Sequence, residues 1–390
     1  VDGKVVGVTP IDEATVNNSS LCVKGRYHSD MLYNKDRLTT PLIKKDGKFV
    51  EATYDEAFNY IAEKFKEVID KHGADSVTGL SSARCTNEDN YVFQKLFRAG
   101  FGTNNIDHCA RTWHAPTVAG LATTFGSGAM TNSIGEIEDN DVLFIIGSNA
   151  TEAHPIIGNK MKKAAQKGAR LIVIDPRRTE LASLAKYHLQ LKSGTDAALV
   201  NGLMHIIIKE NWQDQDYIDE RCIGFESLKE NVESYTPEYT SKITGVDEDT
   251  LYKVAKLYAK TKKAGIFYTL GITEHTTGTD NVMNLANLGM LTGHVGIENA
   301  GINPLRGQNN VQGSCDMGAL PNYFPGYKFC DNQDNVEIFE KLWDTKLNDK
   351  IGLRIPEMLD GIMDGNVKAM YVMGEDPVLT DPDANHVRKA

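Results

Sequence analysis

The sequence predicts an α/β protein built on doubly wound, mostly parallel β-sheets. Two continuous apolar runs of strand length, residues 141–146 and 170–175, are separated by a helical segment that begins at Pro155 and ends near Gly168. Buried strands that alternate with helices are typical of a parallel sheet covered on both faces. A length of 390 residues is too great for one ordinary core, so we expect more than one domain.

Further segments extend this alternation of strands and helices. Thr53 and Glu56 form a capping box, and apolar residues at helical spacing follow until Gly73, which predicts a helix there. Residues 1–7 alternate in the manner of a β-strand, which predicts an extended start to the chain. The other predicted elements are a strand ending near Leu189, a helix over 200–208, a strand over 265–270, a helix over 281–292 and a strand over 368–373.

Composition and charge exclude several functional classes. The formal net charge of −11 argues against a nucleic-acid surface, which needs clustered Lys and Arg. No run approaches the roughly 20 apolar residues that span a bilayer, so we expect no membrane span. The 6 cysteines are scattered, which favours a reducing, cytoplasmic compartment over a secreted disulfide framework. Both ends interrupt an element, so we interpret the sequence as a fragment.

Polar residues after the predicted strands indicate nucleotide binding. In doubly wound sheets ligands lie beyond the carboxyl ends of the strands, where glycine lets the ligand approach the backbone. The segment 368–377 has the same strand, glycine and polar layout as 142–149, which suggests a second related site, although any α/β protein has glycine after strands. The candidate contacts at strand ends are Gly147, Asn149, Asp175, Arg177 and Gly194.

Two polar loops carry the candidate chemistry. Residues 109–120 place Trp113 and His114 before Pro116, at the opening of a predicted helix, and a structural or a catalytic histidine fits this position. Residues 303–313 hold Arg306 and five side-chain amides, a composition too polar for a core. The guanidinium fork suits a carboxylate or a phosphate, which it can hold through two parallel hydrogen bonds.

Together with residues 21–25, these loops resemble the dimethyl sulfoxide reductase superfamily, and within it the catalytic subunits of molybdenum or tungsten formate dehydrogenases. The resemblance covers essentially the whole chain, and the run 306–321 is highly specific. The sequence blocks that carry it are 22–25, 81–88, 112–120, 174–178, 291–293, 306–321 and 373–377.

The resemblance implies a dimethyl sulfoxide reductase-like fold with two Rossmann-like, doubly wound domains. Residues 1–33 would be the remainder of a small N-terminal 4Fe-4S domain. The first pterin dinucleotide domain would combine 34–108 with 309–390, and the second would be 109–308. A C-terminal cap domain would follow residue 390.

The resemblance also implies the roles of the catalytic residues. Position 113 would supply a selenocysteine or cysteine ligand to the metal, His114 would handle a proton, and Arg306 would hold the formate carboxylate. The implied reaction converts formate to carbon dioxide, two electrons and a proton, and it is reversible in principle. Hydride transfer is favoured over proton abstraction, because the C–H bond of formate is a poor acid and oriented transfer needs mainly positioning.

Two cofactors are implied in the same way. Cys22 would be the last of four cysteines that ligate a 4Fe-4S cluster, with the other three upstream of Val1. Electrons would pass from the cluster to a separate Fe-S or flavin subunit. The implied contacts of two pterin guanine dinucleotides, which carry molybdenum or tungsten, are Lys24, Gly147, Asn149, Glu152, Asp175, Arg177, Gly194, Asp196, Gly271, Gly307, Gln308, Gly374 and Asp376.

Trp113 departs from the family pattern, since a neutral indole has one N–H donor and no free lone pair. Three interpretations stay open: a UGA selenocysteine codon rendered as Trp, a real one-base change to UGG, or a non-catalytic homologue that keeps the cofactor sites. We favour the first, because His114 and Arg306 are both retained. The chain with an indole at this position is expected to be inactive. Another molybdopterin oxidoreductase, such as a nitrate reductase, is the alternative enzyme.

Overall fold

The structure is a computed structural model, and it describes residues 1–14, 17 and 19–390. The chain divides into two compact units. Unit 1 comprises Val1–Met31 and Trp113–Gly307, and unit 2 comprises Leu32–Thr112 and Gln308–Ala390. The finer division into a 4Fe-4S remnant and two dinucleotide domains stays a prediction.

The strands of the structure are short and are numbered here in chain order. They are β1 Leu42–Lys45, β2 Lys48–Glu51, β3 Val77–Ser81, β4 Ile106–His108, β5 Val142–Ile146, β6 Arg170–Ile174, β7 Tyr187–Leu189, β8 Ala264–Tyr268, β9 Gly301–Pro304, β10 Tyr323–Phe324, β11 Lys328–Phe329 and β12 Ala369–Val372.

The helices are numbered in the same way. They are α1 Val23–Tyr27, α2 Tyr54–His72, α3 Asn87–Lys95, α4 Ala115–Phe125, α5 Ala150–Ala153, α6 Pro155–Gln166, α7 Asp196–Lys209, α8 Gln215–Arg221, α9 Phe225–Val232, α10 Pro237–Thr244, α11 Glu248–Ala259, α12 Leu270–Thr273, α13 Gly278–Leu291, α14 Val311–Asp316, α15 Gln333–Trp343, α16 Ile355–Met363, α17 Pro377–Thr380 and α18 Ala384–Lys389. Shorter 3₁₀ turns lie at His28–Tyr33, Ala74–Ser76, Cys109–Thr112, Ile134–Asp139 and Leu181–Ser183, and a π-helical turn lies at Leu96–Phe101.

Unit 1 is built on a parallel sheet with the strand order β7-β6-β5-β8-β9. Successive residues of β5 point to opposite faces, as the pleat of a strand requires. Val142 and Phe144 pack on one face against apolar side chains of α4, α7, α11 and α13, such as Leu203 of α7. Leu143 packs on the other face with Met161 of α6. Both faces are therefore covered, which explains the continuous apolar run in the sequence.

Unit 2 contains a smaller parallel sheet with the order β12-β3-β4. One of its apolar clusters joins Val77 of β3 to Phe93 of α3, and another joins Leu80 of β3 to Met358 and Leu359 of α16. Antiparallel hairpins β1-β2 and β10-β11 complete the strand pairings of this unit among the described residues.

A buried cation organises part of unit 2. Arg98 is 0% exposed, and its guanidinium donates to the carbonyl oxygens of Leu320 at 2.6 Å and Tyr323 at 2.8 Å. Burial lowers its pKa to about 10, so the side chain stays charged at neutral pH. Arg98 therefore fixes the backbone that closes the sequence block 306–321.

The structure confirms the α/β class and the parallel sheets, and the predicted strands and helices lie at their expected places within a few residues. The capping box is present, since Glu56 N donates to Thr53 Oγ1 at 3.2 Å and Thr53 N donates to Glu56 Oε2 at 2.7 Å. The extended strand over 1–7 is wrong, because this segment pairs with no described strand and Val1 is 78% exposed. Alternation alone does not make a strand without a pairing partner.

The expectation that residues 303–313 are too polar for a core is wrong at its first residue, and the segment is only partly a loop. Asn303 lies in the buried strand β9, and α14 begins at Val311. The amide of Asn310 donates to Cys85 O at 2.9 Å, and that of Gln312 donates to Asp316 Oδ1 at 2.7 Å. These amides satisfy groups of unit 2 itself.

Candidate active site

A cavity of about 370 Å³ lies at the carboxyl edge of the unit 1 sheet. It sits beyond the ends of β5 and β8, where the strand order reverses direction, and such switch points are the usual ligand sites of doubly wound sheets. The predicted contacts that line the cavity are Gly147, Asn149, Asp175, Arg177, Gly194, Asp196 and Gly271.

Two glycines from neighbouring strands meet at this edge. The amide of Gly271 donates to Gly147 O at 3.1 Å, and Gly147 has a φ of +57°. A Cβ on Gly147 would lie 2.7 Å from the carbonyl carbon of Gly271, and a Cβ on Gly271 would lie 2.5 Å from the Cα of Gly147. Neither position can hold a larger residue without displacing the other, and the bare backbone can approach a ligand closely.

Acidic side chains and a histidine form part of the cavity wall. Asp175 is 7% exposed, and its Oδ1 accepts a hydrogen bond from Arg177 N at 2.8 Å. Burial raises the pKa of Asp196 against the opposing effect of His275, whose Nε2 lies 3.9 Å from Asp196 Oδ2. His275 Nε2 also donates to Gly271 O at 2.9 Å. Carboxylates in this position can accept ring N–H groups or ribose hydroxyls.

His114 occupies the N-cap position of α4 and is 2% exposed. Its Nδ1 lies 3.1 Å from Thr117 Oγ1, and its buried Nε2 lies near the backbone of Leu305. Burial, followed by the charges of Arg306 and His154, lowers the pKa of His114 to about 3. The imidazole is therefore neutral and close enough to Arg306 to sense its charge.

Arg306 follows β9 and is held through its backbone and its side chain. Leu305 N donates to Tyr268 O at 2.8 Å, and His154 Nε2 donates to Arg306 O at 2.9 Å. Arg306 Nη2 donates to Gly128 O at 2.7 Å. The guanidinium is half-buried and has a defined orientation, as recognition of a planar carboxylate requires.

Trp113 lies in the turn between Cys109–Thr112 and α4, and it is half-buried. Its carbonyl oxygen accepts a hydrogen bond from Thr273 Oγ1 at 2.7 Å. The buried hydroxyl of Thr273 therefore fixes the backbone of this turn. The indole does not fit the role of a metal ligand, because it has no lone pair to donate.

The other predicted residues are spread over both units. Glu152 is exposed on α5 and outside the cavity lining, and Gly307 is exposed at the end of unit 1. Lys24 is exposed on α1, and its charge contributes to the lowered pKa of His154, for which burial is the main cause. The predicted contacts in unit 2 are Gln308, Gly374 and Asp376.

Sequence reasoning missed residues whose contacts are with the backbone. His275 lines the cavity and His154 supports Arg306, and the sequence analysis assigned neither of them to the site. Ser193 and Thr269 also line the cavity. Their places in the sequence could have identified them, because His154 and His275 each follow a predicted strand at the sheet edge where ligands bind.

Few side chains of the described residues are placed to ligate a metal ion together. Across the part of the chain that the structure describes, no three or more His, Cys, Asp or Glu side chains gather into a group able to hold a metal ion. Cys22 caps α1 and is half-buried, and a 4Fe-4S cluster needs further thiolates. Its role stays a prediction. Within the same described residues, no helix is long and apolar enough to cross a membrane.

The doubly wound sheet and its cavity place this chain among the α/β proteins that have a cavity at a strand-order reversal. Comparison with known families is consistent with this class, since the molybdopterin oxidoreductase family matches residues 37–390. The chain therefore belongs to the molybdopterin oxidoreductase family, and the predicted dimethyl sulfoxide reductase-like fold is confirmed.

Curated relatives include several formate dehydrogenases. The chain is 51% identical to the F420-dependent formate dehydrogenase subunit alpha of Methanocaldococcus jannaschii, covering 100% of this chain and 57% of that protein. It is 43% identical to formate dehydrogenase H of Escherichia coli, covering 100% of this chain and 55% of that protein. The chain thus spans little more than half the length of these relatives.

A solved structure with a similar fold is acetylene hydratase from Pelobacter acetylenicus. The TM-score is 0.75 at 22% sequence identity, and the match covers 100% of this chain and 56% of that one. At this identity the likeness concerns the fold alone.

Proposed function

We propose that this chain forms the catalytic part of a formate dehydrogenase, which oxidises formate to carbon dioxide with release of two electrons and one proton. The observation that carries the proposal is the guanidinium of Arg306, which a hydrogen bond to Gly128 O orients in the same unit as the buried His114. The formate dehydrogenases among the relatives support the same substrate.

Arg306 would bind the two formate oxygens through its planar fork, with the Nη2 bond to Gly128 O setting the direction of the fork. The Nε2 of His114 would relay the proton of the reaction rather than hold it, because the lowered pKa disfavours the charged imidazolium. Burial of His114 excludes water from this nitrogen.

The carboxyl-edge cavity fits a nucleotide, since it combines close backbone approach at Gly147 with buried acceptors at Asp175 and Asp196. We assign it one guanine dinucleotide, with the unit 2 residues Gln308, Gly374 and Asp376 contributing to the second. Molybdenum or tungsten bound to the two pterins would supply the two-electron acceptor. Lys24 and Cys22 would serve electron passage to a 4Fe-4S cluster and then to an Fe-S or flavin subunit.

Trp113 favours a second candidate function, a non-catalytic homologue that binds the cofactor. An indole supplies no lone pair where the family has a chalcogen. Mass spectrometry of the native protein over residues 109–120 separates the two, because selenocysteine and tryptophan differ in mass and isotope pattern. Selenocysteine or cysteine at position 113 is the expected result. Tryptophan there would favour the non-catalytic homologue.

The direct test is activity of the native holoenzyme, loaded with molybdenum or tungsten, using a viologen dye as electron acceptor. Formate-dependent dye reduction is expected, and oxidation of the reduced dye by nitrate is not. Absence of formate-dependent reduction by a metal-replete preparation would refute the proposal. A cytoplasmic location belongs to the same proposal, and the free thiols of the described cysteines support it.

A further inference from the structure

The carbonyl that orients Arg306 belongs to a loop outside the predicted site. Residues 126–132, here the 126–132 loop, follow α4 and include Gly128, whose oxygen accepts from Arg306 Nη2 at 2.7 Å. A backbone carbonyl has no rotamer of its own, so its position depends on how the loop is held. The anchors of the loop therefore determine where the guanidinium can point.

The first anchor is Thr131, which binds the strand that leads to Arg306. Thr131 N donates to Ile302 O at 3.1 Å, and Ile302 N donates to Thr131 Oγ1 at 2.9 Å. Backbone and side chain of one residue thus engage both polar groups of Ile302. The 126–132 loop is fixed to β9 four positions before Arg306.

The second anchor joins the loop to the segment that precedes β9. Asn132 Nδ2 donates to Glu136 Oε2 and to Ile297 O, each at 2.8 Å. The same carboxylate accepts from Asn299 N at 2.8 Å, and its Oε1 accepts from Ser133 N at 2.8 Å. Burial raises the pKa of Glu136, but these hydrogen bonds outweigh it and lower the pKa to about 2. The carboxylate is therefore ionised throughout the working pH range.

Two glycines make this packing possible. Gly301 has a φ of +85°, and a Cβ there would collide with Thr131 Oγ1 and Asn132 Oδ1. A Cβ on Gly128 would lie 2.9 Å from the Cα of Val118 in α4, the helix that His114 caps. The loop is thus packed between the helix that carries one candidate catalytic residue and the strand that leads to the other.

We propose that the 126–132 loop positions Arg306 for its substrate and that Thr131 is the residue on which this positioning depends. The ligand is a small planar monocarboxylate, and the inference rests on the proposed function. Because Gly128 O accepts one N–H of the guanidinium, the position of the loop sets the direction in which the fork faces the carboxylate. Thr131, Asn132 and Glu136 are positioning residues, since they act through the loop.

The test is a matched set of variants in the native holoenzyme. Thr131→Val keeps the shape of the side chain and removes the acceptor of Ile302 N–H, whereas Thr131→Ser keeps the hydroxyl. Thr123→Val is the control, because this exposed threonine of α4 donates only within its own helix, to Ala119 O at 2.8 Å. We expect Thr131→Val to raise the KM for formate roughly tenfold, the effect of weakening one hydrogen bond between Arg306 and the carboxylate, with little change in kcat.

Thr131→Ser should restore a KM near that of the wild type, which a loss of side-chain volume alone would not do. A wild-type KM in Thr131→Val, or a KM raised equally by the Thr123→Val control, overturns the inference. If Thr131→Val does not accumulate as folded protein, Glu136→Gln tests the second anchor and should raise the KM in the same direction by a smaller factor.

Hydrogen–deuterium exchange gives a readout that needs no turnover. The amide of Ile302 should exchange faster in Thr131→Val than in the wild type, because its acceptor is gone, and exchange in α4 should be unchanged. Equal exchange at Ile302 means that the anchor does not exist. Failure of the wild type to oxidise formate would instead refute the proposed function and leave this exchange result to decide on the anchor.

Discussion

The two edges of the unit 1 sheet carry cavities of very different character. The carboxyl-edge cavity, of about 370 Å³, is lined by glycines and by the carboxylates Asp175 and Asp196. A larger cavity of about 610 Å³ lies at the amino edge, beside Asp141 and Arg170 at the starts of β5 and β6, and is lined by lysines of α11 such as Lys256. Its lysines are exposed. Volume therefore does not identify the candidate site, whereas strand polarity and close backbone approach do.

The largest expected difference is in kcat/KM, between variants that remove one cation from each edge of the sheet. Arg306→Ala should lower kcat/KM for formate roughly 100- to 1000-fold, because removing one partner of a desolvated charge pair costs about 3–4 kcal/mol. Lys256→Ala, which removes an exposed cation at the amino edge, should change kcat/KM by less than about twofold. Steady-state kinetics of the two holoenzymes is the measurement. Comparable losses of kcat/KM in both variants would show that the two edges do not differ in function.

Gly271→Ala tests the close approach of the two strand ends. The new Cβ would lie 2.5 Å from the Cα of Gly147, and overpacking of this kind costs about 1–3 kcal/mol. We expect a lower urea midpoint and a reduced pterin dinucleotide content, quantified by chromatography after denaturation. Gly7→Ala is the control, since a Cβ at Gly7 meets nothing within 4 Å. Full dinucleotide content in Gly271→Ala would contradict the assignment of the cavity.

A smaller effect is expected from single carboxylates. Asp175→Asn should weaken guanine nucleotide binding roughly tenfold, because hydrogen bonds to a charged acceptor exceed those to a neutral one by about that factor. Asp141→Asn makes the same change at the amino edge and should leave binding unaltered. Calorimetric titration of the cofactor-depleted protein with GMP measures both. An equal loss in Asp141→Asn would mean that general charge, rather than the carboxyl edge, governs binding.

The smallest predicted effect concerns Glu136, which anchors the loop near the amino end of β9. Its folded-state pKa of about 2 lies below the ordinary 4.5, so the ionised carboxylate stabilises the fold above pH 4.5. This contribution is lost as the pH falls from 4.5 towards 2. The urea midpoint of the wild type should exceed that of Glu136→Gln at pH 7, and the gap should narrow below pH 4.5. A gap that stays constant with pH would rule out the charge as its source.

Local sequence patterns predicted the strands and helices of unit 1, because a fully buried strand such as β5 must be apolar on both faces. The same patterns predicted Gly147 from its place after a strand, and the family resemblance added Gly271. They could not reveal that the backbone of each glycine leaves no room for a side chain on the other, since the two residues follow different strands. Alternation over 1–7 was misleading because a strand also needs a partner.

Contacts between distant residues account for most of what the sequence did not predict in the candidate site. His154 supports the backbone of Arg306 across 152 positions of sequence, and Gly128 supports its side chain across 178. Both contacts involve a main-chain carbonyl, which every residue possesses and which therefore leaves no mark on residue choice. The family resemblance identified Arg306 itself, whereas only the fold identifies the groups that hold it.

The hydroxyl of Thr273 donates a hydrogen bond to the main-chain carbonyl of Trp113 and so holds this turn by its backbone. Its anchor engages a carbonyl oxygen, so the backbone is held in place whatever side chain position 113 bears. A substitution at position 113 therefore changes the side chain that the turn presents, while this main-chain contact is available to every residue type. A single substitution can thus replace an indole by a metal-binding thiol or selenol without removing the anchor of the turn.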